Sequence, residues 1–215
     1  MEKEEILSKV DHTILKPEAD WEAVKKILDE AMENKTASAC ISPSRVSKAK
    51  AYVGDRLKIC TVIGFPSGAV TTAVKVYETE DAVANGADEI DMVINIGMLK
   101  DKDYDGILKE INLIKDACHG KLLKVIIETC LLSEEEIVKM CQIVSCSDAD
   151  FIKTSTGFST GGATFKDVKL MKDNIEDGLK IKAAGGISTV SDAEKFIELG
   201  ADRLGTSRLI ALLNN

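Results

Sequence analysis

Eight short runs of β-branched and other apolar residues alternate along the whole chain with segments of helical periodicity. The runs cover residues 10–15, 37–41, 58–64, 89–96, 122–129, 151–156, 180–184 and 203–206. Between them, apolar residues recur three and four positions apart, as in Ile107, Ile111 and Ile114, which is the spacing of one helix face. Regular alternation of strand and helix favours a parallel sheet, and eight units favour a closed (β/α)8 barrel, the TIM barrel.

An open, doubly wound sheet is the main alternative, but no G-x-G-x-x-G motif follows the first run. The chain has three prolines and no low-complexity linker, so we expect a single (β/α)8 catalytic domain over residues 1–215. Ser133 with Glu136, and Ser191 with Glu194, have the spacing of a capping box and predict two helix starts.

Composition excludes several classes of function. The chain has 28 Lys and Arg and 36 Asp and Glu, which gives a net charge of −8, and it contains no basic run. Nucleic acid is therefore not an expected partner. The first residues lack the apolar run of a signal peptide, and no stretch is apolar enough to span a membrane. The six cysteines form no C-x-x-C pair, and the two histidines have no metal-ligand spacing. We expect a cytoplasmic protein without a metal.

Three charged side chains interrupt strand-like runs that should line a barrel. Asp91 lies in EIDMVIN, Lys153 in DFIKTSTGF and Lys182 in LKIKAAGG, on the proposed fourth, sixth and seventh strands. An unpaired buried charge is costly, so we expect one acid and two lysines to meet in the barrel. The competing interpretation is that the lysines extend from strand ends into solvent and that Asp91 caps a turn.

Two lysines and a carboxylate suit Schiff-base chemistry, in which a neutral amine attacks a carbonyl. An ordinary lysine is almost wholly protonated at neutral pH. A second ammonium about 5 Å away disfavours that proton by roughly 3 kcal/mol, or about two pKa units. Asp91 could then carry protons, but these residues alone do not say which lysine is the nucleophile.

Small-residue loops follow the last three strands: STG at 155–157, AGGIS at 184–188 and GTS at 205–207. Glycine lets backbone amides approach an anion, and the last loops of such barrels often bind phosphate. We therefore expect a phosphate site there. Glu128, at the end of the fifth run, is interpreted either as a second acid or, preferably, as part of a polar wall or the partner of a lysine.

Together, these segments resemble the deoxyribose-phosphate aldolases, which are class I aldolases with a (β/α)8 fold. The resemblance covers nearly the whole chain and includes DHTIL (11–15), CISP (40–43), TVIGFPSG (61–68), GADEIDMVIN (86–95), FIKTSTGF (151–158), KAAGGI (182–187) and RLGTSR (203–208). It implies reversible cleavage of 2-deoxy-D-ribose 5-phosphate to acetaldehyde and D-glyceraldehyde 3-phosphate, without a cofactor. It also implies a homo-oligomer, a dimer.

The resemblance further implies a role for individual residues. Lys153 would form the Schiff base, Lys182 would be the second lysine that perturbs it, and Asp91 would relay protons. Substrate and phosphate contacts would come from strand ends and loops: Asp11, Thr13, Thr156, Gly157, Gly185, Gly186, Gly205 and Ser207.

Two positions depart from the pattern of some relatives. Phe158 stands where they carry a lysine after the STG loop, so one phosphate charge is missing. The chain ends Leu213-Asn214-Asn215 where they carry a tail tyrosine, so we expect no proton relay through a tail. The alternatives that remain open are a Schiff-base aldolase for another phosphosugar and a non-catalytic barrel that senses sugar phosphates.

Overall fold

The computed structural model describes residues 1–213, and within them the strands form a closed parallel barrel in chain order, β1 to β8. The strands are β1 (Val10–Ile14), β2 (Ser38–Ile41), β3 (Ile59–Ile63), β4 (Glu89–Val93), β5 (Leu122–Ile126), β6 (Phe151–Lys153), β7 (Lys180–Ala184) and β8 (Arg203–Thr206). The barrel closes where β1 pairs with β8, with Asp11 opposite Gly205. The predicted (β/α)8 fold is confirmed. Asn214 and Asn215, on which the expectation about the tail depends, lie outside the described residues.

One helix precedes the first strand, and the other helices follow the strands and surround the barrel. They are α1 (Lys3–Leu7), α2 (Trp21–Glu33), α3 (Val46–Val53), α4 (Thr72–Ala84), α5 (Ile96–Lys100), α6 (Tyr104–Ala117), α7 (Glu134–Ser145), α8 (Phe165–Asn174), α9 (Val190–Glu198) and α10 (Leu209–Leu213). Within residues 1–213, none of them is long and apolar enough to cross a membrane.

Several predicted strands are too long at their C-terminal ends. The runs 89–96, 122–129 and 151–156 end as strands at Val93, Ile126 and Lys153. Beyond these points the backbone leaves the strands to build loops and caps, although most of its residues are still isoleucine or threonine, which are β-branched. Most of these loop residues are buried, and β-branched residues also favour strands, so the composition of the runs does not mark where the strands end.

One of the two predicted capping boxes is correct. Ser133 and Glu136 make the reciprocal hydrogen bonds at the start of α7. The second prediction is wrong, because the box at α9 is formed two residues earlier by Thr189 and Asp192. The Asp192 carboxylate accepts from the backbone amides of Ser188 and Thr189, and Asp at this position serves as Glu would.

The strands alternate between two different environments. On β3, Ile59 and Ile63 belong to the main core between barrel and helices, whereas Cys60 and Val62 form a separate small cluster. The same alternation on β7 places Ile181 in the core and leaves Lys182 buried among charged groups. The outer faces of the strands thus supply the hydrophobic stability, and the barrel interior is left available for polar chemistry.

Candidate active site

The strand register brings the predicted charged residues together inside the barrel. Asp91 on β4 is paired with Lys124 on β5, and Lys153 on β6 is paired with Lys182 on β7. Asp91, Lys153 and Lys182 are 0%, 3% and 1% exposed, so all three charges are removed from solvent. The alternative in which the two lysines extend into solvent is excluded.

A single carboxylate oxygen joins the two lysines. Asp91 Oδ2 lies 2.7 Å from Lys153 Nζ and 2.7 Å from Lys182 Nζ. The two amine nitrogens are therefore no more than about twice this distance apart, close to the 5 Å assumed from the sequence. A proton can pass between either amine and Asp91 without any movement of the backbone.

The surroundings decide how these groups ionise. Burial alone would raise the pKa of Asp91, but Lys124, Lys153 and Lys182 together hold it well below its usual range. Burial would likewise lower the pKa of Lys182, but Asp11 and Asp91 raise it above its ordinary value. Lys182 therefore remains an ammonium, which is a poor nucleophile.

A second layer of charges lies below this triad, and the sequence analysis missed most of it. Lys124 is 0% exposed, and its Nζ lies 2.8 Å from Asp91 Oδ1 and 2.7 Å from Glu89 Oε2. Arg203 contacts both Glu89, at 3.1 Å, and Asp11, at 2.5 Å. The rule that selected Asp91, a charge inside an apolar strand, applies equally to Lys124 in LLKVI and would have found it.

A pocket of about 660 Å³ opens at the C-terminal ends of the strands, where enzymes of this fold hold their substrates. Lys153 lines it, together with seven residues predicted to contact substrate: Thr13, Thr156, Gly157, Gly185, Gly186, Gly205 and Ser207. Lys182, Asp91 and Asp11 are not among the lining residues. Asp11 instead lies fully buried and pairs with Lys182 and Arg203, which makes it a support of the triad rather than a wall of the pocket.

The glycine loops have conformations that other residues adopt only with strain. Gly157, Gly185 and Gly186 have φ values of +82°, +74° and +75°. A Cβ on the neighbouring Gly162 would come within 2.5 Å of the Gly185 carbonyl carbon, so two backbones touch where these loops meet. These contacts leave backbone rather than side chains at this wall of the pocket, which suits an anion site built from backbone amides.

Glu128 holds one of these loops in place. It is 2% exposed and adopts a left-handed conformation with φ +54°, which is uncommon outside glycine. Its carboxylate accepts hydrogen bonds from the backbone amide and the hydroxyl of Thr156, and the amide of Phe158 donates to that same hydroxyl at 3.0 Å. Within residues 1–213 it makes no ion pair, so the pairing with a lysine, one of the three interpretations of this residue, is wrong. Its contacts are those of a residue that positions the loop.

The left-handed backbone at Glu128 makes glycine a better replacement than alanine there. Glu128→Ala removes the hydrogen bonds to Thr156 and keeps the strain, so we expect it to lower the free energy of unfolding by about 2 kcal/mol. Glu128→Gly loses the same bonds but relieves the strain, and should be about 1 kcal/mol more stable than Glu128→Ala. Urea unfolding measures the free energy of unfolding of both variants.

The pair Lys26→Ala and Lys26→Gly is the matched control for this comparison. Lys26 is an exposed residue in the middle of α2, where alanine should be the more stable replacement by about 1 kcal/mol. The same order of alanine and glycine at both positions would contradict the proposed strain at Glu128.

Potential metal ligands also meet inside the barrel. Cys40, Cys60 and Asp91 form one such group, and Asp11, Cys60 and Glu89 form another. Their carboxylates already pair with the side chains of Lys124, Lys153, Lys182 and Arg203. A metal cation would have to compete with these positive charges, and the absence of a metal requirement stays a prediction.

A buried lysine at the base of a pocket, joined through one carboxylate to a second lysine, defines a TIM-barrel enzyme equipped for amine chemistry on a carbonyl substrate. The profile of the DeoC/LacD family aldolases matches residues 6–213. A deoxyribose-phosphate aldolase from Clostridioides difficile (strain 630) is 59% identical over 210 residues, 98% of this chain and 96% of that protein. Another from Streptococcus agalactiae serotype Ia is 58% identical over 215 residues, 100% of this chain and 96% of that protein.

A solved structure agrees with these sequence matches. The tetrameric deoxyribose phosphate aldolase from Aeropyrum pernix superposes with a TM-score of 0.90 at 29% identity, covering 99% of this chain and 91% of that one. The chain belongs to the DeoC/LacD aldolase family and is a carbon–carbon lyase.

Proposed function

We propose that this aldolase cleaves 2-deoxy-D-ribose 5-phosphate reversibly to acetaldehyde and D-glyceraldehyde 3-phosphate, with Lys153 as the Schiff-base residue. The substrate is that of the relatives named above, and the glycine loops supply a wall suited to a phosphate group. We further propose that residues 1–215 act as one catalytic domain, without a cofactor, as a homodimer in the cytoplasm.

The observation that carries this proposal is the different access of the two lysines to the pocket. Lys153 lines the pocket, whereas Lys182 lies behind it and pairs with two carboxylates, Asp11 and Asp91. A substrate carbonyl can reach the Lys153 amine, and Asp91 Oδ2 is close enough to take its proton. Lys182 remains charged and helps to hold Asp91 in position. This arrangement supports Lys153 as the nucleophile and gives Lys182 an electrostatic role.

The reaction follows from these positions. The neutral Lys153 amine adds to the aldehyde carbon of the open-chain sugar, and loss of water gives a protonated Schiff base. Asp91 accepts a proton from the hydroxyl at C3, and the C2–C3 bond breaks. The electron pair of this bond moves toward the iminium nitrogen, which gives an enamine. Glyceraldehyde 3-phosphate leaves, the enamine carbon takes back a proton, and water hydrolyses the imine to acetaldehyde and free Lys153. Asp91 carries these protons.

Borohydride trapping tests the nucleophile and the reaction class together. The protein is treated with acetaldehyde or 2-deoxyribose 5-phosphate and borohydride, and peptides are mapped by mass spectrometry. We expect a reduced adduct on Lys153. An adduct on Lys182 would reverse the two roles, and no adduct on folded protein would favour a non-catalytic sensor of sugar phosphates. Donor profiling separates the remaining alternative, because only the proposed enzyme should prefer acetaldehyde over larger carbonyl donors.

A further inference from the structure

The lining of the active-site pocket carries positive charge only, within residues 1–213. Its charged members are Lys16, Lys153 and Arg208, and it contains no Asp or Glu. The whole chain has a net charge of −8, so an all-cationic pocket is not a consequence of composition. Lys153 is accounted for by Asp91 and by the proposed chemistry. The two cations at the mouth have no role in that chemistry.

Lys16 and Arg208 come from adjacent strands. Lys16 follows β1 and Arg208 follows β8, and these strands pair with His12 opposite Thr206. The two cations therefore lie on the same side of the mouth, next to Gly205 and Ser207. Both side chains are exposed, and neither pairs with a carboxylate within residues 1–213. The backbone of Arg208 is fixed by a hydrogen bond, because its amide donates to Thr206 Oγ1 at 3.1 Å.

A different side of the pocket is apolar. Phe158, which follows β6, lines the pocket and packs edge-on against Phe65 with their ring centroids 5.3 Å apart. The charge that a lysine at position 158 would supply is therefore absent from this side. The pocket has a cationic side at β8 and β1 and an aromatic side at β6.

We propose that Arg208, assisted by Lys16, provides the positive charge that binds the phosphate of the substrate and makes the enzyme prefer phosphorylated over unphosphorylated sugars. This inference rests on the proposed function, because it assigns one end of that substrate. A phosphate monoester carries nearly two negative charges at neutral pH, and a guanidinium can donate to two of its oxygens. The glycine amides at 185, 186 and 205 would orient the group, and Arg208 and Lys16 would neutralise it.

The test compares cleavage of 2-deoxyribose 5-phosphate with cleavage of 2-deoxyribose. For Arg208→Gln we expect the ratio of the two kcat/KM values to fall by about tenfold or more, through KM for the phosphorylated sugar. Lys16→Met should lower the ratio by about threefold, since a flexible lysine at the mouth is more strongly screened. Arg208→Lys should restore most of the ratio. The Ki of inorganic phosphate, as a competitive inhibitor, should rise in parallel.

Lys58→Gln is the matched control. It removes one positive charge from an exposed lysine that precedes β3, at the opposite end of the barrel from the pocket. This variant should leave the ratio of the two kcat/KM values unchanged. It therefore distinguishes a general effect of net charge from a local effect of the charges at the pocket.

The possible failures are distinguishable. If wild-type protein cleaves the phosphorylated sugar, and Arg208→Gln and the double variant Lys16→Met/Arg208→Gln keep the ratio, the charge assignment is wrong. An equal loss on both sugars would also overturn it, because that result indicates a structural effect. If wild-type protein cleaves neither sugar, the proposed function fails. In that case, titration with inorganic phosphate followed by phosphorus NMR tests whether Arg208 binds phosphate. An unchanged affinity in Arg208→Gln would show that it does not.

Discussion

Replacing Lys153 with alanine is expected to lower kcat/KM for cleavage of 2-deoxyribose 5-phosphate by about 10⁴-fold or more, because the covalent intermediate can no longer form. The fold should survive. Asp91 keeps Lys124 at 2.8 Å and Lys182 at 2.7 Å, so its buried charge stays compensated. Steady-state kinetics measures the loss, and circular dichroism with urea unfolding verifies the fold.

The variant Lys153→Arg tests whether the amine of Lys153 is needed for its nucleophilicity or only for its positive charge. Arginine keeps a positive charge next to Asp91 but forms no Schiff base, so it should be as inactive as alanine and remain untrapped by borohydride. Wild-type turnover in either variant, or a trapped adduct on Lys182 with turnover retained, would show that Lys153 is not the nucleophile.

The second large effect is expected for Asp91→Asn, which removes the anion that Lys124, Lys153 and Lys182 share. We expect the free energy of unfolding to fall by about 3–5 kcal/mol, because Lys153 loses the carboxylate with which it pairs and Lys124 and Lys182 each lose one of theirs. Turnover should fall by about 10²–10⁴-fold, because the proton carrier is lost. Glu134→Gln, which breaks an exposed pair with Lys166, is the control and should change stability by less than about 1 kcal/mol.

The pH dependence of this stability difference has a definite sign. The pKa of Asp91 is held well below its usual range in the folded protein, whereas an unfolded Asp titrates near pH 3.9. Its contribution is therefore complete above about pH 4 and decreases as the pH falls below that value. The difference between wild type and Asp91→Asn should be constant from pH 5 to 8 and shrink in acid. A difference that grows on acidification would contradict the ion cluster.

A double variant keeps the prediction testable if Asp91→Asn does not fold. Adding Lys124→Met removes the most deeply buried of the three ammonium groups, so part of the lost stability should return. Strict additivity of the two substitutions would mean that Asp91 and Lys124 are not coupled, contrary to their contact of 2.8 Å.

The sequence predicted the barrel because strand and helix periodicities repeat without interruption. It predicted the triad because Asp91, Lys153 and Lys182 are out of place in apolar strands. The same signal is present at Lys124, but the sequence does not show that Lys124, Glu89 and Arg203 form one cluster, since the depth of a side chain in the barrel depends on the register between strands. Arg208 and Lys16 lie in loops, where a charge is ordinary until the pocket is seen.

The pairing of β1 with β8 has a consequence during synthesis on the ribosome. Asp11 is made near the start of translation, but its partners Lys182 and Arg203 emerge only near the end. Until β8 arrives, β1 has an open edge, and the early carboxylates lack part of their counter-charge. A nascent chain therefore carries an open strand edge that can associate with other chains, and the charge cluster is complete only after the last strand has been made.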